Sequence, residues 1–539
     1  MALSPHHYIR SQLIGRYESL HHEHPSYKWW VLANVMIGTF MAVLDATIVN
    51  VGLPKIMAAF GIDVDKVEWV LTAYLLVFAV MLPTSGWVAD HFGFKRTYFF
   101  ALGLFTIGSF LCGLAWNENV LIAFRIIQGA GAGFMMPVGM AIVTREFPPE
   151  KRGVALGFWA ISAAASVSLG PLIGGYLIDN LDWQAIFDVN VPVGIVAMFA
   201  TLVIQREYKT EHARSFDLTG FLSASAFLTF FLLALADGNA AWNIGGWSSP
   251  FILTCFTIAA LSLTVFLVTE LTVSHPLIEL RLLKNLNFGV TNSVLFIFGV
   301  GMFGSTFLLP LYLQNSLGYT AFQAGSVFLP VGIIQGTMSP IAGVLSDRVN
   351  PKIPAFVGLV FLAYSLYLNH FLSLYSEHGY IMLSLYVRGV GLGLVFTPLS
   401  SMALAEIPRA KMAQASGLFN VIRQIGGSFG VALLGTLLSR RTIYHLSAYG
   451  QAVDSTSPLF QQTVLHLQHF AQNAVGGTLA LSGMRANAVI ASYIGQQAFV
   501  QAVNDDFFIA AIITLAGAIP IVFLHTRRQR GGEKAAAID

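Results

Sequence analysis

Charge is what this chain has least of. Asp, Glu, Lys and Arg make up 10% of its 539 residues, where a soluble domain carries about a quarter. With 55% hydrophobic residues beside them, this excludes an ordinary water-soluble globule. Cysteine is nearly missing as well. Cys112 and Cys255 both lie in apolar runs, which argues against a disulfide framework or a cysteine metal site. No G-x-x-x-x-G-K-[ST] stretch occurs, so the chain carries no phosphate loop and draws on a gradient instead of ATP. No Ser/His, paired-carboxylate or metal spacing gathers at one depth. The expectation is therefore no enzyme, no catalytic residue, no metal and no cofactor beyond a proton gradient. Residues 1–28 lack an apolar h-region and do not read as a cleaved signal peptide. The His6/His7 and His21/His22/His24 groups read as parts of a solvated tail. The net charge of +2 is spread over short loops, which gives nucleic acid nothing to bind.

What the chain does have is apolar runs of 18 residues or more along its whole length, each able to cross ~30 Å of hydrocarbon as a helix. Helices are expected near 29–53, 67–89, 96–115, 120–143, 153–178, 185–204, 217–236, 250–271, 288–313, 323–346, 353–371, 380–404, 412–439 and 507–526, fourteen in all. Of the 29 Lys and Arg, 21 fall on one side of this scheme. Five (Lys55, Lys66, Arg440, Arg441, Arg485) fall on the other, and Arg125, Arg388 and Arg423 stay inside. The positive-inside rule makes the basic side, with both termini, cytoplasmic. The scheme is an all-α polytopic membrane protein. It has a cytoplasmic tail 1–28, a six-helix half 29–204, a linker 205–287 holding two inserted helices, a second six-helix half 288–526, and a tail 527–539. The segment 440–506 is an extension on the far side, polar and rich in Gln, Ser and Thr. Within it, helix 13 reads as continuous to about Leu446, with a hairpin from Phe460 to Gln472 and Met484 to Val503 folded against it.

The halves repeat. Pro83, Gly86 and Asp90 recur as Pro340, Gly343 and Asp347, each moved by 257 positions; Glu146, Pro148, Lys151 and Gly157 recur as Glu406, Pro408, Lys411 and Gly417, each moved by 260. Parallel repeats about an axis normal to the membrane favour a transporter that rocks around a central site. Gly86, Asp90, Gly93, Lys95 and Arg96, at the basic end of spans two and three, and Gly343 with Asp347 in the second half, are the expected gating residues. Gly170, Pro171 and Gly174 form a bendable, closely packed stretch of span five.

Ionisable groups inside the membrane are expensive and mark function. Counted from the far side, Asp45, Arg125 and Asp188 lie roughly 7–12 Å deep at 1.5 Å per residue. A carboxylate beside a cation in one layer can bind and release a proton. The second half offers Arg388 and Arg423 with no acid at comparable depth. Two readings stay open for these arginines: attraction of an anionic substrate, or donation to backbone carbonyls.

Together these motifs resemble the major facilitator superfamily and, within it, the fourteen-span drug:proton antiporters of the EmrB/QacA type, closest to the EmrB side. The residues that carry the likeness are Leu44-Asp45-Ala-Thr47-Ile-Val-Asn50 through Pro54, Gly86 to Arg96, Arg125-Ile-Ile-Gln128-Gly129, and Gly170-Pro171 with Gly174-Gly175. Trp183, Phe187, Asn190, Pro192 and Gly194 add to it at the start of span six. The chain departs from the pattern at His91, Phe94, Ser166 and Asp188. The resemblance implies a proton-coupled antiporter of the bacterial inner membrane that exports amphipathic or hydrophobic drugs and toxic compounds. Proton coupling would rest on Asp45, Arg125 and Asp188, and substrate contacts on Asn50, Gln128, Arg388 and Arg423. It also implies a tripartite pump with a periplasmic membrane-fusion adaptor and an outer-membrane channel. The competing expectation is a dedicated exporter of one metabolite, such as a fatty acid or siderophore.

Overall fold

The computed structural model describes residues 26–524 except 63, 149–150, 209–214, 241, 275, 409–410, 455 and 476–478. The two tails lie outside the described residues. Every regular element among the described residues is helical. Thirteen helices are long and apolar enough to cross a membrane, and a fourteenth is a pair bent by 57°. The order is span 1 (Tyr27–Phe60), span 2 (Val64–Met81 and Ser85–Phe92), span 3 (Phe94–Gly113), span 4 (Glu118–Glu146), span 5 (Arg152–Asn180), span 6 (Ala185–Asp188 and Asn190–Ile204) and the inserted spans 7 (Leu218–Asp237) and 8 (Pro250–Thr272). The second half holds span 9 (Leu286–Asn315), span 10 (Ala321–Ser326 and Leu329–Arg348), span 11 (Lys352–Asn369), span 12 (His378–Ala405), span 13 (Met412–Ala452) and span 14 (Leu479–Ala516).

Two expectations change. Span 2, read as one helix over 67–89, is broken at 82–84. Pro83 has no N–H to continue the ladder. The freed carbonyls are satisfied locally, with Thr84 Oγ1 donating to Met81 O at 2.8 Å and Ser85 Oγ to Leu82 O at 2.6 Å. Far beyond it, Met484–Val503 is not a separate hairpin helix but the leading part of span 14, which runs unbroken for 38 residues. Span 13 runs for 41. At 1.5 Å per residue these helices reach about 57 and 61 Å, roughly twice the hydrocarbon thickness. They project past the bundle together, with the short helix Pro458–Val475 packed against span 14.

The sequence repeat becomes a reciprocal contact between the halves at the basic end. Span 5 of the first half lies on span 10 of the second: a Cβ on Gly157 would stand 2.6 Å from the Ser339 carbonyl oxygen. Span 13 lies on the lower piece of span 2: a Cβ on Gly417 would stand 3.1 Å from the Leu82 carbonyl oxygen. Only residues without side chains allow helices this close. Between these crossings Trp159 stacks with Phe396 at 6.0 Å and Phe396 meets Phe419 at 6.1 Å, so the halves are closed on each other at this end. The inserted pair touches both. Leu232 of span 7 packs with Leu76 and Ala79 of span 2, while Asn239 and Trp247 of the loop between spans 7 and 8 donate to Thr436 of span 13 at 2.7 and 2.9 Å.

Candidate functional site

Four spans of the first half bring polar side chains to one dry point, and a fifth lends a backbone carbonyl and a ring. Span 1 supplies Asp45 and span 4 supplies Arg125, both fully buried and paired Oδ2 to Nη1. One turn along span 4, Gln128 donates from Nε2 to Asp45 Oδ1 at 2.7 Å and accepts from Arg125 Nη1 at 2.7 Å. Asn190, at the start of the long piece of span 6, donates to Asp45 Oδ1 at 3.3 Å and to Ser109 Oγ of span 3 at 3.2 Å. Ser109 also accepts from Gln128 at 3.0 Å and donates to Phe187 O at 2.8 Å. Span 2 holds the guanidinium from below: Arg125 Nε donates to Val70 O at 3.0 Å, and the Tyr74 ring centre lies 4.1 Å from its carbon. This places a charge-assisted pair in a polar cage with no solvent exposure, where electrostatic interactions are strongest and a lost partner costs most.

Asp188 does not join it. The side chain is exposed and lies over Gly113 at the end of span 3. Val189 keeps helical dihedrals between the short and long pieces of span 6, and positions two apart on a helix point about 200° apart, so depth counted along the helix does not show that Asp188 faces outward. Asn190, two residues on, takes the inward position. Gln128, expected among the substrate contacts, is fully buried in the Asp45 network. Tyr74 and Ser109 carried no sequence signal of their own, since neither is charged nor part of a repeated motif.

The arginines of the second half separate. Arg388 is buried and donates from Nη2 to Met302 O at 3.1 Å and to Thr306 Oγ1 of span 9. Both contacts lie inside the second half. Arg423 is half-buried where the halves meet, 5.7 Å from the Phe396 ring and 3.3 Å from Asn420 Oδ1. Asn50 is exposed and donates to the Ala46 carbonyl of its own helix at 3.1 Å.

Of the gating residues, Asp347 has the clearest geometry. Its two oxygens accept from the backbone N–H groups of Gly153 and Val154, each at 3.0 Å. Those are free donors in the first turn of span 5, where the helix field favours an anion. Gly343 makes this approach possible, because a Cβ there would stand 2.3 Å from the Gly153 carbonyl oxygen. In the first half Gly86 faces the third residue of span 13, with Gln414 N 3.0 Å from where a Cβ would be, and Asp90 is buried one turn on. Lys95 and Arg96 stay within their own half. Lys95 Nζ donates to Leu202 O at 2.7 Å, and Glu207 accepts from both backbone amides and lies 3.6 Å from Arg96 Nε. Gly93 turns the chain there with φ of 100°, a conformation that side chains resist. The departures from the motif are filled by aromatic contacts: His91 stacks on Trp87 at 4.9 Å, and Arg145 lies over Phe94 at 4.2 Å. In span 5, Gly170 and Gly174 lie against Thr47 and Ile48 of span 1, Pro171 continues the helix between them, and Ser166 Oγ donates to Phe40 O at 2.9 Å.

A family model described as Major Facilitator Superfamily matches residues 35–431. The chain belongs to that superfamily, whose members are transporters rather than enzymes. It is 30% identical over 495 residues to the multidrug export protein EmrB of Haemophilus influenzae, covering 90% of this chain and 94% of that one. It is 29% identical over 496 residues to the fatty acid resistance protein FarB of Neisseria gonorrhoeae, with coverage of 92% and 95%. These relatives agree with the EmrB-type branch read from the motifs. The human organic anion transporter MFSD10 shares the fold, with a TM-score of 0.56 at 13% identity over 91% of this chain and 100% of its own.

Proposed function

We propose that this protein exports amphipathic compounds across the bacterial inner membrane in exchange for protons. The observation that carries the reading is the buried pair of Asp45 and Arg125 with Gln128, Asn190 and Ser109 around it. A proton arriving at Asp45 removes the charge that holds Arg125, Gln128 and Asn190 together, and so loosens span 1 against spans 4 and 6. Substrate between the halves favours the opposite change. Asp347 on the first turn of span 5 holds the basic end closed until the halves rock apart. The name of the EmrB relative supports drugs as substrates. The projecting ends of spans 13 and 14 support a periplasmic adaptor as partner, with an outer-membrane channel beyond it. The test is transport by the full chain in liposomes under an imposed pH gradient. Export of a fluorescent amphipathic cation that collapses with the gradient supports the reading; export that ignores the gradient overturns it.

A second reading, a dedicated exporter of an amphipathic carboxylate such as a fatty acid, is favoured by Arg423. It lies at the meeting of the halves with Phe396 beside it, and no carboxylate lies within ion-pair distance of it among the described residues. Counter-transport measured with long-chain carboxylates against drug cations separates the two.

A further inference from the structure

The second half does hold a buried acid, at the far end of the bundle. Asp506 of span 14 is fully buried, and neither of its carboxylate oxygens accepts a hydrogen bond from any described residue. Its neighbour Asp505 is the opposite. It accepts from His445 Nε2 of span 13 at 2.8 Å and lies 3.6 Å from Arg441 Nε, with both partners reaching solvent. Two consecutive carboxylates are thus sorted into a wet, paired one and a dry, unpaired one.

The other titratable groups at this level are accounted for. From span 11, His370 Nδ1 meets the Asn504 carbonyl at 3.0 Å, and Asn504 Nδ2 donates to Leu372 O at 2.8 Å. From span 9, the Tyr312 hydroxyl donates to Ser373 O at 2.6 Å. From span 13, Arg441 and His445 both face Asp505. None of them donates to Asp506. An ionised carboxylate in that position has given up its hydration and gained no donor, which costs several kcal/mol. A metal ion is a poor occupant, since no group of three or more metal-binding side chains occurs among the described residues and Arg441 repels cations. A proton meets the need with one atom.

We propose that Asp506 is a second proton-binding site of this transporter, loaded from the far end through His445 and Asp505. The transfer is simple to balance. A hydronium ion gives its proton to the solvent-facing pair, which passes it to the Asp506 carboxylate; the product is a neutral carboxyl and water, and no other bond changes. Release requires spans 13 and 14 to shift so that Asp506 meets water or a donor. This deepens the proton-coupled reading and rests on it for its role in transport, but the protonation itself can be read without transport.

The experiment uses the full chain in lipid. Infrared difference spectra against pH should show a protonated-carboxyl band that Asp506→Asn loses, Asp506→Glu restores at a shifted position, and Asp45→Asn keeps. In proteoliposomes, Asp506→Asn should lower the proton-to-substrate ratio and flatten the dependence of rate on far-side pH. Should that variant fail to insert, Asp505→Asn and His445→Gln are read instead: each should keep the band but slow its appearance after a far-side pH jump. A band unchanged in Asp506→Asn overturns the proposal. So does a lost band with ratio and pH profile unchanged, which marks a buried structural carboxyl. Loss of cationic substrates alone, with the ratio intact, also overturns it and assigns Asp506 to substrate. Loss of gradient dependence in the wild type, with the band still assigned to Asp506, refutes the export reading and leaves the protonation standing.

Discussion

Arg388 donates to Thr306 at the place in the second half where Arg125, in the first, meets Asp45. The two arginines are 263 positions apart and their partners 261, so the repeat carries the cation of the cage but exchanges its carboxylate for a hydroxyl. At this place, therefore, only the first half has a pair that a proton can break. Arg388→Gln should lose about 1–2 kcal/mol of stability, the scale of its hydrogen bonds. Arg125→Gln should lose about 3–5 kcal/mol, because it strands a buried carboxylate. Thermal unfolding of both variants in the same detergent checks the order; equal losses would mean that the halves are not distinguished in this way.

Asp45→Asn keeps the shape of the cage and removes its charge. Uphill export should stop while the chain still inserts, and stability should fall by about 3 kcal/mol as Arg125 loses its partner. The double variant Asp45→Asn, Arg125→Gln should regain most of that stability without regaining transport. Gradient-driven export at the wild-type rate in either variant contradicts the proton role of Asp45.

How much of this was legible in the sequence depended on whether a signal was local. The fourteen spans and the Asp45–Arg125 pair follow from run length and from charge placed in hydrocarbon. Gly343 with Asp347 follows from an offset repeated along the chain. Asp188 and Asn190 lie about 200° apart around span 6, so a count of depth alone does not show which of the two faces inward. The break at Pro83 is not decided by proline alone, since its homologue Pro340 sits inside a continuous helix, Leu329–Arg348. Asp506 lies in Gln- and Asn-rich surroundings that read as a solvated extension. Its burial comes from spans 9, 11 and 13 closing around it, a tertiary fact without a local trace.

Asp347→Asn keeps one accepting oxygen and turns an amide toward the N–H groups of Gly153 and Val154. Loss of an N-terminal cap costs about 1 kcal/mol, so the ratio of closed to open basic ends should fall several-fold, a tenfold change being about 1.4 kcal/mol. Distance measurements between spin labels on the loops after spans 4 and 10 would read it. Gly343→Ala should open the same contact further, since its Cβ has no room beside the Gly153 carbonyl oxygen. An unchanged distance distribution in both variants would show that this crossing is not the clamp.

The projecting ends of spans 13 and 14 carry the last expectation. His445 of one faces Asp505 of the other, which fixes their relative height. From there Ala452 lies about seven residues, or ~10 Å, further out, and residue 501 about four residues, or ~6 Å. Deleting residues 455–500 therefore removes the helix Pro458–Val475 and the leading part of span 14 while leaving two chain ends at similar height. The bundle and the Asp505 contact should survive it. The removed part is unlike a solvated cap. Leu459 and Phe470 are exposed at 75% and 72%, and an open groove between the helices is lined by Val453, Leu459, Phe460, Leu467, Val489 and Tyr493 together with Asp454, Ser457 and Thr463. On the adaptor reading proposed above, this apolar surface is where the partner docks. The deletion should abolish co-purification of a membrane-fusion adaptor and cellular drug resistance while liposome transport continues. Leu459→Ser with Phe470→Ser should weaken both without altering the fold. Adaptor binding that is unchanged in the deletion rules the platform out; transport lost in liposomes would instead make the extension part of the export cycle.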